Sequence, residues 1–257
     1  MFAYTYRSVD SFVGKRGLGP VTNGLLTNLV AYWSLDSYTG SSSPPSAGGV
    51  SILNNGGGSG FIGSGLISGG CDAPVWGDSN VGFYTSGTTA LNLQNDYTIS
   101  AWAAPYDPSG TGNSTGTVFR VANNASEAVA LGLNVSTEEI SYGVNNAVDG
   151  TQLNQATFVW NGNSWNHFVL VYNSADSILS LYANGVALNS FYVSAMSSSS
   201  SVVEIDLLTD FSIVPLEWGS VNGKADELGL WQCQLTATQI SALYNGGAGK
   251  AYSTFTV

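Results

Sequence analysis

Thirty-two glycines, scattered among many Ser, Thr and Asn residues over 257 positions, leave this chain little room for helix. Glycine costs an element interior roughly 0.5–1 kcal/mol relative to alanine and is favoured where the backbone turns tightly. The apolar residues accordingly fall in short runs between turn formers. Leu29 to Asp36 (LVAYWSLD) is apolar and aromatic, and the YTGSSSPPSAGG after it excludes helix. Phe61 to Ile67, Val81 to Tyr84 and Tyr97 to Ala103 (YTISAWA) follow, the last with a period of two. Thr117 to Ala122, Ala128 to Asn134 and Ile140 to Val144 are short strands punctuated by Asn and Gly. Trp165 to Tyr172 (WNHFVLVY) and Ile178 to Ala183 (ILSLYA) lead into Asn184-Gly185 and VALNSFYV. That pair predicts a hairpin, because its tight turn needs positive φ at both central residues. Five serines, Ser197 to Ser201, mark a surface loop.

One helix is expected, near the C-terminus. Thr236 and Gln239 form a capping box, in which each side chain satisfies the other's backbone amide. Leu235 and Ile240 flank it as a hydrophobic staple, and Asn245-Gly246-Gly247 supplies a left-handed stop. The chain therefore reads as all-β with one short helix. Seven Trp, 13 Tyr and 10 Phe supply a dry core, and β-sandwiches reach this length as one domain.

Charge is sparse, at 9% of residues, and lopsided. Residues 1–24 carry Arg7, Lys15 and Arg16 against Asp10, whereas the remainder carries three basic residues against sixteen acidic. The acidic body excludes a nucleic-acid partner and an anionic membrane surface, both of which need clustered Lys and Arg. No run approaches a membrane-spanning helix, and the opening MFAYTYRSVDSFVGKRG lacks the apolar core of a secretory signal. Residues 1–24 are read as an extended arm and 25–257 as the domain. The arm's Phe2, Tyr4, Tyr6 and Phe12, with Arg7, Lys15 and Arg16, are too many for a passive linker and suit docking on a partner. The alternative is that the arm packs on its own sandwich as an extra strand. Cys71 and Cys233 are too few for a disulfide scaffold and read as free thiols.

The runs, in their order, resemble the concanavalin A-like lectin/glucanase family and its laminin G-like members. LVAYWSLD is similar to the family's opening strand, YTISAWA to its central strand, and LYANGV to its "lYvNGv" hairpin. Gly223 to Gly249, GKADELGLWQCQLTATQISALYNGGAG, follows "GkiDEvgiWnraLtatEIsaLYngG" almost position by position. The resemblance implies a two-sheet antiparallel jelly-roll sandwich with the first and last core strands adjacent. It leaves function open, since the fold serves lectins, hydrolases and structural proteins.

Four groups of residues bear on chemistry. Glu204-Ile205-Asp206 matches the start of the E-x-D-x(x)-E of laminarinase-type hydrolases on this fold, but the second Glu falls at Leu208 or Thr209. Retaining hydrolysis needs two carboxyls, so no catalysis is expected; alternation places Glu204 and Asp206 together on the solvent side. His167 has no second ligand or nucleophile beside it in sequence and is read as structural. The resemblance implies a structural calcium at Asp226, with Asp36 approaching if the terminal strands are neighbours. The family's acidic loop is replaced here by SYTGSSSPPSAGG, and the alternative is that Asp226 bonds backbone amides. No other cofactor is expected. Trp76, Trp160 and Trp218, each beside Gly, Asn or Ser, are candidates for stacking on sugars.

These features point to a non-enzymatic virion structural protein, a phage head-decoration, fibre or tail-surface component. The arm would dock on other virion proteins while the domain faces host or environmental glycans at the virion surface, as a monomer or homo-oligomer. A cellular or extracellular carbohydrate-binding or adhesion module is the second reading, and a glycoside hydrolase the third.

Overall fold

The computed structural model describes residues 24–257 except 57, 74–80, 86, 107–114, 125–126, 135–136, 147–148, 160–163, 197–200, 203, 210, 214–215 and 221. The side chains of 115, 124, 211–213 and 216–220 also lie outside the description. Two large sheets make up the sandwich. One sheet runs, in spatial order, Val186–Tyr192, Ile178–Ala183, Asn166–Asn173, Tyr97–Pro105, Gly223–Trp231, Gly70–Ala73 and Gly60–Ile62. Leu29–Trp33 also pairs with Gly223–Trp231, so the first and last core strands are neighbours. The other sheet runs Gly150–Thr157, Glu139–Asn146, Glu127–Asn134, Thr115–Asn124, Glu204–Leu207, Phe83–Thr85, Ile52–Asn54 and Ser42–Ser43.

Period-two alternation builds the core between them. Ile99 and Ala101, Phe168 and Leu170, and Leu179 and Leu181 point in from the first sheet. Phe119 and Val121, Val129 and Leu131, and Ile140 and Tyr142 point in from the second. The first sheet is buried on its other face too. There Tyr32, Val169, Val171 and Trp231 pack under Leu235, Ile240 and Leu243 of the helical segment, with Leu25 and Phe255 from the two chain ends. The Trp231 indole donates to the Leu25 carbonyl at 2.7 Å and the Leu26 amide to the Thr256 carbonyl at 3.0 Å. Residues 24–28 are thereby tied to the domain ahead of its first strand.

Local signals were accurate where a turn or cap decides them. The helix spans Ala237–Tyr244 with both halves of the capping box made, and Asn245 ends it at φ 48°. Asn184 and Gly185 take φ 50° and 78°. The strand Gly150–Thr157 (GTQLNQAT) was not expected: it is a polar edge strand with little apolar alternation to announce it. YTGSSSPPSAGG, read as loop, contains the two-residue strand Ser42–Ser43. Among the described residues no helix is long and apolar enough to cross a membrane.

Candidate binding face and acidic seam

Alternation along Glu204–Leu207 sends Ile205 and Leu207 into the core and leaves Glu204 and Asp206 on the sheet's other face. Strand register there aligns Tyr84, Asp206, Arg120, Ala130, Gly143 and Leu153 in one row. Glu204, Ala122, Ala128, Asn145 and Thr151 form the next. One guanidinium nitrogen, Arg120 Nη1, donates to Glu204 Oε2 at 2.7 Å and to Asp206 Oδ2 at 2.9 Å. Arg120 and Asp206 are buried, while the Glu204 side chain keeps 45% of its exposure.

Asp206 thus shares a face with Glu204 as alternation required, but it is not on the solvent side. Burial pushes its carboxyl up to about 6, and the Arg120 charge offsets only part of that rise. Arg120 escaped sequence reasoning, because its partners lie 84 and 86 residues away. The rim around the triad is neutral. Thr151 Oγ1 donates to Asn145 Oδ1 at 3.2 Å, and Gln155 Nε2 to Ser141 Oγ at 3.3 Å. Where a hydrolase would carry its second carboxylate, Leu208 turns into the core at φ 52° and the Thr209 hydroxyl is buried.

The acidic pair of the late strand occupies a seam. Gly223–Trp231 pairs with Gly70–Ala73 through residues 223–225 and with Leu29–Trp33 through residues 228–231. Asp226 and Glu227 fall between those partners, at a register shift where Glu227 takes φ 51°. Asp226 Oδ2 accepts from the Leu66 and Ile67 amides at 2.8 and 3.1 Å, and Oδ1 from the Glu227 amide at 2.9 Å. Gly65 permits this wrap, since a Cβ there would strike the Gly69 carbonyl. Asp36 is exposed and accepts from the Gly69 amide at 3.1 Å.

Glu227 is 2% exposed, with Tyr32 beside it, and neither carboxylate oxygen has a hydrogen bond of good geometry. Burial first, then the neighbouring Asp226 charge, pushes Glu227 up to about 9. Burial pushes Asp226 to about 8, against the pull of its three amides. As donors these groups fit a hard cation: Glu227 brings two open oxygens and Asp226 a second carboxylate. Side chains alone do not complete such a site, since no group of three His, Cys, Asp or Glu among the described residues is placed to hold a metal. Backbone carbonyls and water would supply the remaining ligands.

The other residues singled out from sequence are not brought together. His167 stacks on Trp102 at 4.9 Å between ring centroids, with Tyr244 against both rings, its Nε2 2.8 Å from Ser100 Oγ and its Nδ1 buried without a partner. Burial drives it down to about 3, so it stays neutral, and its hydrogen bonding is half rather than fully satisfied. Trp76 and Trp160 lie outside the described residues, as do Phe2, Tyr4, Tyr6, Arg7, Phe12, Lys15 and Arg16 of the arm. Trp218 is on the strand Leu216–Ser220, which runs parallel to Thr115–Asn124; its side chain is not described. Cys71 and Cys233 are free, Cys71 Sγ lying 3.4 Å from the Ala225 carbonyl.

Comparison with known proteins agrees with this architecture. Residues 78–241, well over half of the chain, match the family model described as the concanavalin A-like lectin/glucanases superfamily. No curated protein sequence matches significantly. Among solved structures, the chain is similar to the binding domain of botulinum neurotoxin serotype D (TM-score 0.63, 11% identity), over 85% of this chain and 52% of that one. It is similar also to the binding domain of Paraclostridial Mosquitocidal Protein 1 (TM-score 0.61, 14% identity), over 86% and 52%. The chain thus spans about half the length of these toxin domains. Domain 4 of AbnA, an extracellular arabinanase of Geobacillus stearothermophilus solved with arabinotriose, matches at TM-score 0.58 and 17% identity over 83% of this chain and 97% of that domain. At these identities the likeness is one of fold.

Proposed function

The chain belongs to the concanavalin A-like lectin/glucanases superfamily, and on that premise we propose that it is a binding module for neutral carbohydrate rather than a hydrolase. One observation carries this reading. Glu204 and Asp206, which match the start of a hydrolase pattern, are both held by Arg120, and the position of that pattern's second acid falls on Leu208, in the core, or on Thr209. What remains around them is a neutral rim of Tyr84, Asn145, Thr151 and Gln155, suited to hydroxyl-rich ligands. The likeness to an arabinanase domain solved with arabinotriose supports the ligand class. Trp76, Trp160 and Trp218 are the further positions proposed for sugar stacking.

Within that reading, the finer role is a virion component, a phage head-decoration, fibre or tail-surface protein, with residues 1–24 docking it to its neighbours. The basic, aromatic composition of those residues beside an acidic body supports this role. At the seam, the two open oxygens of Glu227 support a structural calcium.

Titration calorimetry against neutral arabino- and gluco-oligosaccharides, paired with a reducing-sugar assay, tests the main reading. Saturable binding weakened by Tyr84→Ala or Asn145→Ala, without sugar release, is expected. Release of sugar that Glu204→Gln abolishes would overturn it. Mass spectrometry of purified particles tests the virion role, with loss of incorporation on deletion of residues 1–24 as the expected result. Normal incorporation of the truncated protein, or a purely cellular location, would favour an adhesion module instead.

A further inference from the structure

Between Asp36 and Asp72 the sequence carries no charged residue. This stretch includes Gly60–Ile62 and Ser42–Ser43, the short strands in which the two sheets finish on one flank of the sandwich. One large side chain stands out from it. Tyr38 is 45% exposed, and among the described residues the only other aromatic ring so open to water is Tyr192, at 71%.

Of these two rings only Tyr38 is braced by another. It stacks on Phe61 at 5.5 Å between centroids and 21° between planes, and Phe61 packs in turn on the fully buried Phe83 at 5.1 Å. The backbone is fixed as well. Thr39 and Ser42 exchange hydrogen bonds of 2.8 and 3.2 Å across a tight turn in which Gly40 takes φ 59°, and Ser43 Oγ donates to the Ser37 carbonyl at 2.8 Å. A ladder of rings thus runs from the core to the surface, with one face of Tyr38 on Phe61 and the other toward water. A Cβ at Gly40 would meet nothing within 4 Å, so the turn stands clear of the rest of the chain. Ser37, Thr39 and Ser41, the neighbours of Tyr38 along the turn, are exposed, and their hydroxyls make no hydrogen bond among the described residues.

We propose that Tyr38 is a sugar-stacking position, a further subsite that takes one ring of a neutral oligosaccharide at the edge of the sandwich. The inference rests on the reading of this domain as a neutral-carbohydrate module, and it sets the contact apart from the face around Arg120. A ring needed only to close the core would be buried like Phe83. Tyr38 instead keeps nearly half its surface in water while being held still, the state in which a side chain binds without losing further freedom. A sugar ring presents apolar C–H groups on its faces and hydroxyls around its rim. The open face of Tyr38 matches the first, and the hydroxyls of Ser37, Thr39 and Ser41 match the second. Charge selects a neutral ligand, since an anionic one would meet no counter-charge here and would face Asp36 at the end of the stretch.

Calorimetric titration of the full chain with neutral arabino- and gluco-oligosaccharides provides the test. Tyr38→Ala should weaken binding about tenfold, as loss of one anchoring aromatic does. Tyr38→Phe keeps the stacking face and should lose far less. Nitration by tetranitromethane, located by peptide mass spectrometry, reads the same contact on the unaltered chain and decides the matter where Tyr38→Ala does not fold. Saturating sugar should protect Tyr38 and leave the exposed Tyr192 reactive. Binding by Tyr38→Ala equal to the parent's, or nitration of Tyr38 unchanged by sugar, would overturn the subsite. If Tyr84→Ala still weakened binding in that case, the carbohydrate reading would stand without it. A parent that binds none of these sugars would remove the reading and the subsite together.

Discussion

Each sheet of this domain carries a pair of neighbouring acidic side chains, and the two pairs are held by different means. Glu204 and Asp206 share one guanidinium nitrogen of Arg120, at 2.7 and 2.9 Å. Asp226 is held by three backbone amides, and Glu227 beside it by none. A guanidinium brings a full charge as well as hydrogen bonds, whereas amides bring only dipoles. The carboxyls respond in proportion. Asp206 rises to about 6, while Asp226 and Glu227 rise to about 8 and 9. The first pair is electrostatically closed, and the second has two oxygens left for a cation.

The comparison breaks most visibly at Arg120. Arg120→Met would leave two carboxylates facing one another with no counter-charge, a loss of about 3–5 kcal/mol for a broken buried pair. Urea unfolding measures it, and adding Asp206→Asn should restore part of the loss. A midpoint equal to the parent's would mean that the charge of Arg120 is not what holds this pair.

The raised carboxyl of Asp206 sharpens the contrast through pH. A carboxyl raised in the fold stabilises fully below its unfolded value, near 3.8, and loses that contribution as pH climbs through about 6. The full loss amounts to about 3 kcal/mol, at 1.36 kcal/mol per unit. Asp226 and Glu227 shift in the same direction, so the informative quantity is the difference between parent and Asp206→Asn. That difference should change between pH 4 and 6 and level off above; a difference flat across that range would contradict the burial of Asp206.

How much of this was legible depended on the distance over which each feature is decided. The Thr236–Gln239 capping box and the Asn184-Gly185 turn are settled within a few residues, and both stand as read. Period two put Glu204 and Asp206 on one face, but the burial of Asp206 goes with Arg120, which only strand register brings across. Family resemblance points to Asp226 with Asp36, and not to Glu227. Glu227 was hidden because a regular strand would alternate it away from Asp226; its positive φ at the register shift changes where it points. The strand Gly150–Thr157 was not legible, since GTQLNQAT lacks the alternation that marks a strand.

Calcium tests the open side of the comparison. A ligand bound only by the folded state adds about 2.7 kcal/mol at a hundred times its Kd. Calcium should therefore raise the melting temperature, EDTA should reverse the gain, and Glu227→Gln should remove the response while Arg120→Met keeps it. A parent indifferent to both calcium and EDTA would show that Glu227 is neutralised by its own proton, with no ion at the seam.

Glu204 carries the smallest expected effect and separates burial from charge within the triad. It meets the same Arg120 nitrogen as Asp206, and at the shorter distance. Distance alone would therefore rank it the stronger partner. Its side chain is 45% exposed against 7% for Asp206, however, and water screens a half-exposed pair. Glu204→Gln should accordingly cost no more than about 1 kcal/mol, the range of exposed ion pairs, and the cost should shrink with added salt. Asp206 would remain to neutralise the guanidinium, and the glutamine carbonyl would still accept a hydrogen bond. A salt-independent loss as large as that of Arg120→Met would place Glu204 in the same low-dielectric environment as Asp206. The face would then hold its carboxylates as a sealed structural unit, and Glu204 would be removed from the rim that a carbohydrate meets.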